Sequence, residues 1–483
     1  MTLLHAIRNE QMRSVTENGA YAHNTSGSAM TDAFFMAGAL RERKPEDIAR
    51  LFLRALQEDE TAALKLAFYT RDIRSGLGER RTARIFFQTL AVFRPKLLRR
   101  NLQYIPEYGR WDDLLCLLKT PLKDDVIRLI RTQLREDQKQ MAAGKAVSLL
   151  GKWLPSVNAS SRETVQTARC LAEALGMSER TYRKTLSALR NYINVTECFL
   201  SAQAYEQISY PSVPSYAMKL YRNAFQRHDP QRFENWLQDV REQRSSLNSR
   251  VLYPYDIAEQ YLYRIRQEDP VLEAQWDAMP DFVRGSRKCL VMADVSGSMY
   301  GRPLAASVSL AIWFAQRNQG IFRNRFMTFS RRPELVEIRG SSLFEKIESV
   351  RTADWDMNTD LEAAFRLILS AAVRHHVPQE DMPDSLVILS DMEIDVCTYG
   401  LNQLFSDAMK KLFASHGYVL PKVVFWNLNA RRNTFHASCD TENILLVSGQ
   451  SASVFEHLAD DDVSTPYEYM MKILHSEAYL KIC

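Results

Sequence analysis

The chain has 483 residues, of which 46% are hydrophobic, 10% aromatic and 25% charged, with 17 Gly and 17 Pro. This is the profile of a folded globular protein of roughly two to four domains, and it excludes extended disorder, collagen and low-complexity architectures. The net charge of +4 divides unevenly: 41 basic residues stand against 33 acidic ones up to residue 280, and 21 against 25 beyond it. A polyanionic partner for the first part is therefore permitted but not required.

No run approaches the roughly 18–20 apolar residues of a membrane span, and the opening MTLLHAIRNEQMRSV lacks the order of a signal peptide, so a soluble, cytosolic protein is expected. The seven cysteines are dispersed and include no CxxC pair. That argues for a reducing compartment, against a disulfide framework or zinc site, and for cysteines acting mostly as small buried hydrophobes.

In chain order, Asn18-Gly19 through Thr25-Ser26-Gly27-Ser28 offers an anion cradle or, preferably, an ordinary helix cap. From Met30 to Arg244 apolar residues recur at helical spacing, as in Ile48, Leu51, Phe52 and Leu56, and strand-like alternation is nearly absent. Ser75-Gly76, Tyr108-Gly109, Leu150-Gly151 and Gly176-Met177-Ser178 read as helix ends, with glycine in the left-handed terminal conformation and serine capping the next helix. Residues 1–280 thus form an all-α, repeat-like helical array. Ser178 to Arg183 resembles the turn of a helix-turn-helix, which any helical array contains, so sequence-specific DNA reading is not expected.

The pattern changes after Asp281 to Ser286. Lys288 to Ala293 is a buried strand ending at Asp294, and a helix follows from Pro303 to Gln319. Further strands are expected at Phe322–Ser330, Glu334–Ile338, Ser385–Leu389, Lys422–Trp426 and Ile444–Val447, with helices at Asp360–His375 and Leu401–Ser415. Residues 281–483 therefore form a doubly wound, mostly parallel sheet, making the whole chain α + α/β. His375-His376 end a predicted helix and cap it rather than bind metal.

Asp294-Val295-Ser296-Gly297-Ser298 sets a carboxylate and two hydroxyls at alternate positions beyond a buried strand, and Asp391 ends a second one, where such sheets bind ligands. With Thr359, these oxygens and the lack of His or Cys suit a hard cation, Mg²⁺ or Mn²⁺. An open coordination position would take an acidic side chain from a partner. Glu393 and Asp395 read as solvated acids or as supports of that loop.

DVSGS at 294–298, the Thr of NTD at 358–360 and the Asp of LVILSDME at 386–393 resemble the metal-ion-dependent adhesion site of von Willebrand factor A domains. The resemblance implies hydroxyl ligands from Ser296, Ser298 and Thr359, with Asp294 and Asp391 acting directly or through water. The threonine loop DWDMNTD departs from the pattern in lacking a nearby Gly and in carrying Asp354, Asp356 and Asp360. Segments such as RDIRSGLGERRTARIFF (71–87), YGRWDDLL (108–115) and VVFWNLN (423–429) resemble a family of unknown function, found in bacteria, plants and large viruses, that joins a helical region to such an A domain. The two-part plan is also similar to the Ro, or TROVE, proteins, which bind small non-coding RNAs.

By that analogy the helical half is a candidate RNA surface, with phosphate contacts from Arg71, Arg74, Arg80, Arg81, Arg84, Arg180, Arg183 and Lys184. Tyr104, Tyr108, Trp111, Trp153 and Tyr182 are candidate stacking platforms. No GxxxxGK[ST], HExxH, GxSxG or GxGxxG pattern is present. The expectation is a non-enzymatic scaffold that captures an acidic protein group through a metal; the alternatives are a small-RNA-binding protein and a metal-dependent hydrolase.

Overall fold

Helical apolar spacing in the first part becomes helix, and several of these helices start at a cap or a proline. Ser28 accepts from Thr31 N to open Ala29–Ala37, Pro45 begins Pro45–Glu58, Asp59 caps Glu60–Arg71, and Ser178 caps Glu179–Tyr192. The computed structural model describes residues 7, 10–249, 251–282, 288–329, 332–351, 359–396, 403–458 and 465–483. Among these, helices run from Ala29 to Asp277 with no intervening strand. The predicted transition at 281–286 and the acidic positions Asp354 and Asp356 fall wholly or partly outside the described residues.

Of the glycines read as helix ends, Gly176 is left-handed, at φ +73°, whereas the others provide space. Gly151 lies inside the short helix Leu150–Trp153, where a Cβ would come within 2.7 Å of Leu189 Cβ. At Gly109 a Cβ would press 2.8 Å from Arg71 Nε. A short hairpin, β1 (Arg13–Val15) paired antiparallel with β2 (Tyr21–His23), precedes the helix Ala29–Ala37. The cysteine expectation needs correction: none of the six described cysteines is fully buried, and Cys170 and Cys483 are exposed.

Beyond residue 288 the apolar runs become β3 (Cys289–Ala293), β4 (Arg325–Thr328), β5 (Leu335–Glu337), β6 (Ser385–Ser390), β7 (Lys422–Asn427) and β8 (Ile444–Ser448). Their order is β5-β4-β3-β6-β7-β8, with β5 antiparallel at one edge and every other pairing parallel. Every residue of β6 and of β8 is buried, as expected when both faces of a sheet are covered. The chain turns outward in opposite directions from β3 and from β6, so a crevice opens where these neighbours end. Among the described residues no helix is long and apolar enough to cross a membrane.

One hydrophobic core runs from Ala20 to Ile482, and a smaller one gathers around Tyr210, Phe225, Phe233 and Trp236. The helix Ala29–Ala37 lies against β8. Gly38 N donates to Ser448 Oγ at 3.0 Å, and a Cβ on Gly38 would strike the backbone of Ser448 and Gly449. Ala430 N donates to Ala39 O at 2.9 Å beside this contact.

Candidate functional site

Asp294 follows the last residue of β3 and Asp391 the last residue of β6, so two parallel, paired strands deliver two carboxylates to one crevice. Asp294 N donates to Leu389 O at 2.9 Å, which extends the ladder to the site. Both carboxylates are buried. Asp294 Oδ1 accepts from Ser296 N at 2.9 Å and Oδ2 from Ser390 Oγ at 2.7 Å. Burial, reinforced by the charge of Asp391, pushes the Asp294 carboxyl up to about 6. Ser296 is buried and its Oγ lies 3.0 Å from Ser298 Oγ, whose residue is exposed at the mouth.

The structure therefore brings Asp294, Ser296, Ser298 and Asp391 together. Thr359 borders the same loop, but its hydroxyl donates to Asp395 Oδ1 at 2.8 Å and accepts from Asn18 Nδ2 at 2.8 Å. No described hydrogen bond joins it to Asp294, Ser296, Ser298 or Asp391. Asp360 caps the helix Leu361–Arg374 through Ala363 N. Among the described residues no group of three or more His, Cys, Asp or Glu side chains is arranged to hold a metal. Two carboxylates with hydroxyls fit a hard divalent cation better than a soft one.

The sequence gives no signal for two other features of the crevice. Arg431, beyond β7, places Nη2 2.9 Å from Asp391 Oδ2 and 3.0 Å from Glu17 Oε2. The β1–β2 turn lies over the rim. Thr16 Oγ1 donates to Ile394 O at 2.8 Å, Glu17 N to Glu393 Oε2 at 2.6 Å, and Asn18 Nδ2 to Glu393 O at 2.7 Å. Glu393 and Asp395 are consequently partners within the protein and not solvated acids. Glu393 is buried, and burial pushes its carboxyl up despite donors from Glu17 N and Thr434. In the 18–28 segment Ser28 provides the ordinary helix cap expected in preference to an anion cradle, while Asn18 reaches across to the second half of the chain.

The basic cluster of the helical half is largely consumed internally. Arg71 is buried, with Nε 2.7 Å from Asp113 Oδ2, and is not available to phosphate. Arg84 Nε lies 2.8 Å from Asp113 Oδ1, and Arg80 pairs with Asp112. Arg81 donates to the carbonyls of Leu40, Arg41 and Arg43, and Arg74 to that of Glu107. Arg180, Arg183 and Lys184 are exposed on the helix Glu179–Tyr192. Tyr108 and Tyr182 are core residues, which corrects their reading as platforms. Trp111 and Trp153 line a cleft of about 1080 Å³, with Arg110, Lys152, Arg190 and Tyr216 among its other walls. The Arg110 guanidinium carbon sits 4.2 Å from the Trp153 ring centre.

Comparison with known proteins gives relatives for both parts. The C-terminal part, residues 288–477, matches the family model described as Domain of unknown function (DUF7788). Uncharacterized protein L728 of Acanthamoeba polyphaga mimivirus is 29% identical over 95% of this chain and 87% of its own length. The crystal structure of the RO (RSR) protein of Deinococcus radiodurans aligns over 93% of this chain and 99% of that one, with a TM-score of 0.47 and 15% identity. The model described as Domain of unknown function (DUF2828) matches residues 16–129 and 120–288, more than half of the chain, and the chain belongs to that family.

Proposed function

We propose that the C-terminal part is a von Willebrand A-like binding domain whose crevice holds Mg²⁺ or Mn²⁺ through Asp294, Ser296, Ser298 and Asp391, with Thr359 at its border, and presents the ion to an acidic group. One observation carries this reading. Two buried carboxylates end adjacent parallel strands; burial, and after it the charge of Asp391, raises the Asp294 carboxyl, and Arg431 pairs with Asp391. A divalent ion would relieve that repulsion and supply Lewis acidity toward an incoming carboxylate. The protein residues fix the oxygens. We read the site as one of binding rather than turnover, in a cytosolic scaffold. Titration calorimetry of the full chain with Mg²⁺ and with Mn²⁺ tests the proposal: heat is expected from the wild type and none from Asp294→Ala at unchanged melting temperature. Equal heat in both proteins, or none in either, would overturn it.

A second reading, RNA binding by the helical half, is favoured by the Trp153 cleft. Arg110 and Lys152 make no ion pair with any described residue, and burial pushes both below their ordinary values, so a phosphate would relieve two unpaired cations. Indole rings beside them provide stacking surface for unpaired bases. With a short labelled oligouridylate, Trp153→Ala is expected to weaken binding about tenfold, within the roughly 1–3 kcal/mol of one base stack. Binding should also weaken steeply with salt. Unaltered affinity in the variant would remove the cleft from consideration.

A further inference from the structure

Resting on the cation reading above, we infer that the crevice already has an acidic occupant in its own chain: Glu17, at the tip of the N-terminal hairpin, stands where a partner's carboxylate would bind and must leave before one can. Arg431 Nη2 lies between Glu17 Oε2, at 3.0 Å, and Asp391 Oδ2, at 2.9 Å, so one nitrogen carries positive charge between a strand-end carboxylate and a carboxylate from the far end of the sequence. This is the arrangement expected of a metal and its acidic ligand, with a guanidinium nitrogen standing for the ion. Arg431 Nε is buried and has no hydrogen-bond partner, so the side chain is held by its two carboxylates and not by a complete network of its own. Arg432 Nε adds a longer contact to Glu17 Oε1, at 3.4 Å.

The hairpin tip is built to be held at this place. Four successive residues address the loop after β6, with Thr359 beside it: Thr16 to Ile394 O, Glu17 N to Glu393, Asn18 to Glu393 O and to Thr359, and Gly19 in a bridge with Asp395. Gly19 has φ +87°, and a Cβ there would sit 3.1 Å from Val396 Cγ2, so the turn is both left-handed and close-fitting. Arg43 also reaches over, donating to Arg431 O at 2.9 Å and Asn433 Oδ1 at 3.1 Å, which positions the Arg431 segment from the same side. Asn18 occupies the Thr359 hydroxyl, so the hairpin holds a proposed ligand as well as the acidic position. A divalent ion beside Asp391 would take over the charge that Arg431 supplies, and Glu17, which shares that arginine nitrogen with Asp391, would be placed to complete its shell. An external acidic group competes with Glu17 for that position.

The test uses the full chain, Glu17→Gln and three readouts: Mg²⁺ calorimetry, amide hydrogen exchange over residues 14–22, and affinity for a hexaglutamate peptide in Mg²⁺. Glu17→Gln keeps the size of a side chain that is 31% exposed, and its melting temperature reports whether the fold is intact. The expected result is Mg²⁺ heat in both proteins, slower exchange of the wild-type hairpin on adding Mg²⁺ with no such change in the variant, and about tenfold tighter peptide binding by the variant, an ordinary size for coupling between two ligands. Heat in both proteins with identical exchange and peptide affinity would overturn the internal ligand and leave the cation site standing. No heat in either would overturn both.

Discussion

Asp113→Ala is expected to destabilise the protein by about 3–5 kcal/mol, the range for deleting one partner of a buried ion pair. Asp113 is buried, and both oxygens are committed: Oδ2 to Arg71 Nε at 2.7 Å and to Arg110 N at 2.9 Å, Oδ1 to Arg84 Nε at 2.8 Å. Arg71 is itself buried, so the variant would strand a guanidinium without an anion beneath the helix Arg80–Phe93. Gly109 is part of this arrangement, because any side chain there would press on the same pair. Urea unfolding of wild type, Asp113→Asn and Asp113→Ala measures the effect. Asparagine keeps an acceptor and should fall between the other two; a loss below about 1 kcal/mol for alanine would show that Arg71 finds another partner.

Mild acid should destabilise the protein through His436. Burial, with some help from His23, holds this imidazole down to about 4, and its Nε2 lies 2.9 Å from Met392 O. In the unfolded chain it protonates near its ordinary 6.5, so as pH falls from 6.5 towards 4 the unfolded state takes up a proton that the folded state refuses. Stability is therefore lost across that window, by about 3 kcal/mol at its lower end. Asp294 works in the opposite sense: its raised carboxyl contributes stability below about 4 that is lost as pH rises through 6. Unfolding free energies of wild type and His436→Gln at pH 7.0 and 5.0 separate the two, since only the histidine contribution disappears in the variant. Parallel pH dependence in both proteins would count against the assignment.

The elements that position the crevice are readable from local chemistry. Leu290 to Ala293 and Leu386 to Leu389 are continuous apolar runs, each followed within two residues by an aspartate, and that suffices to place two carboxylates at strand ends. What closes the crevice is not readable, because it depends on contacts between residues hundreds of positions apart. Asn18 meets Thr359 across 341 residues. Arg431 has no local feature that marks it as the counter-ion of Asp391 and Glu17. Arg80 and Arg84 look available in sequence because Asp112 and Asp113 lie some thirty residues further on, and only helix packing brings the two groups together. Tyr108 and Tyr182 fail as platforms for the same reason: helical spacing makes an aromatic side chain equally suited to a core, and here the core takes them.

The seam between Gly38 and Gly449 bears on biosynthesis. The Ser448 hydroxyl that receives Gly38 N lies 410 residues downstream. While the ribosome is still making the middle of the protein, the Ala29–Ala37 segment can pack on the helices that follow it, with Phe34 stacked on Tyr69, but the side that meets β8 and Phe435, with Phe35, must wait for its partners. The helix Ala29–Ala37 is therefore completed only once β8 has been made, and a change that removes β8 would be felt 410 residues upstream.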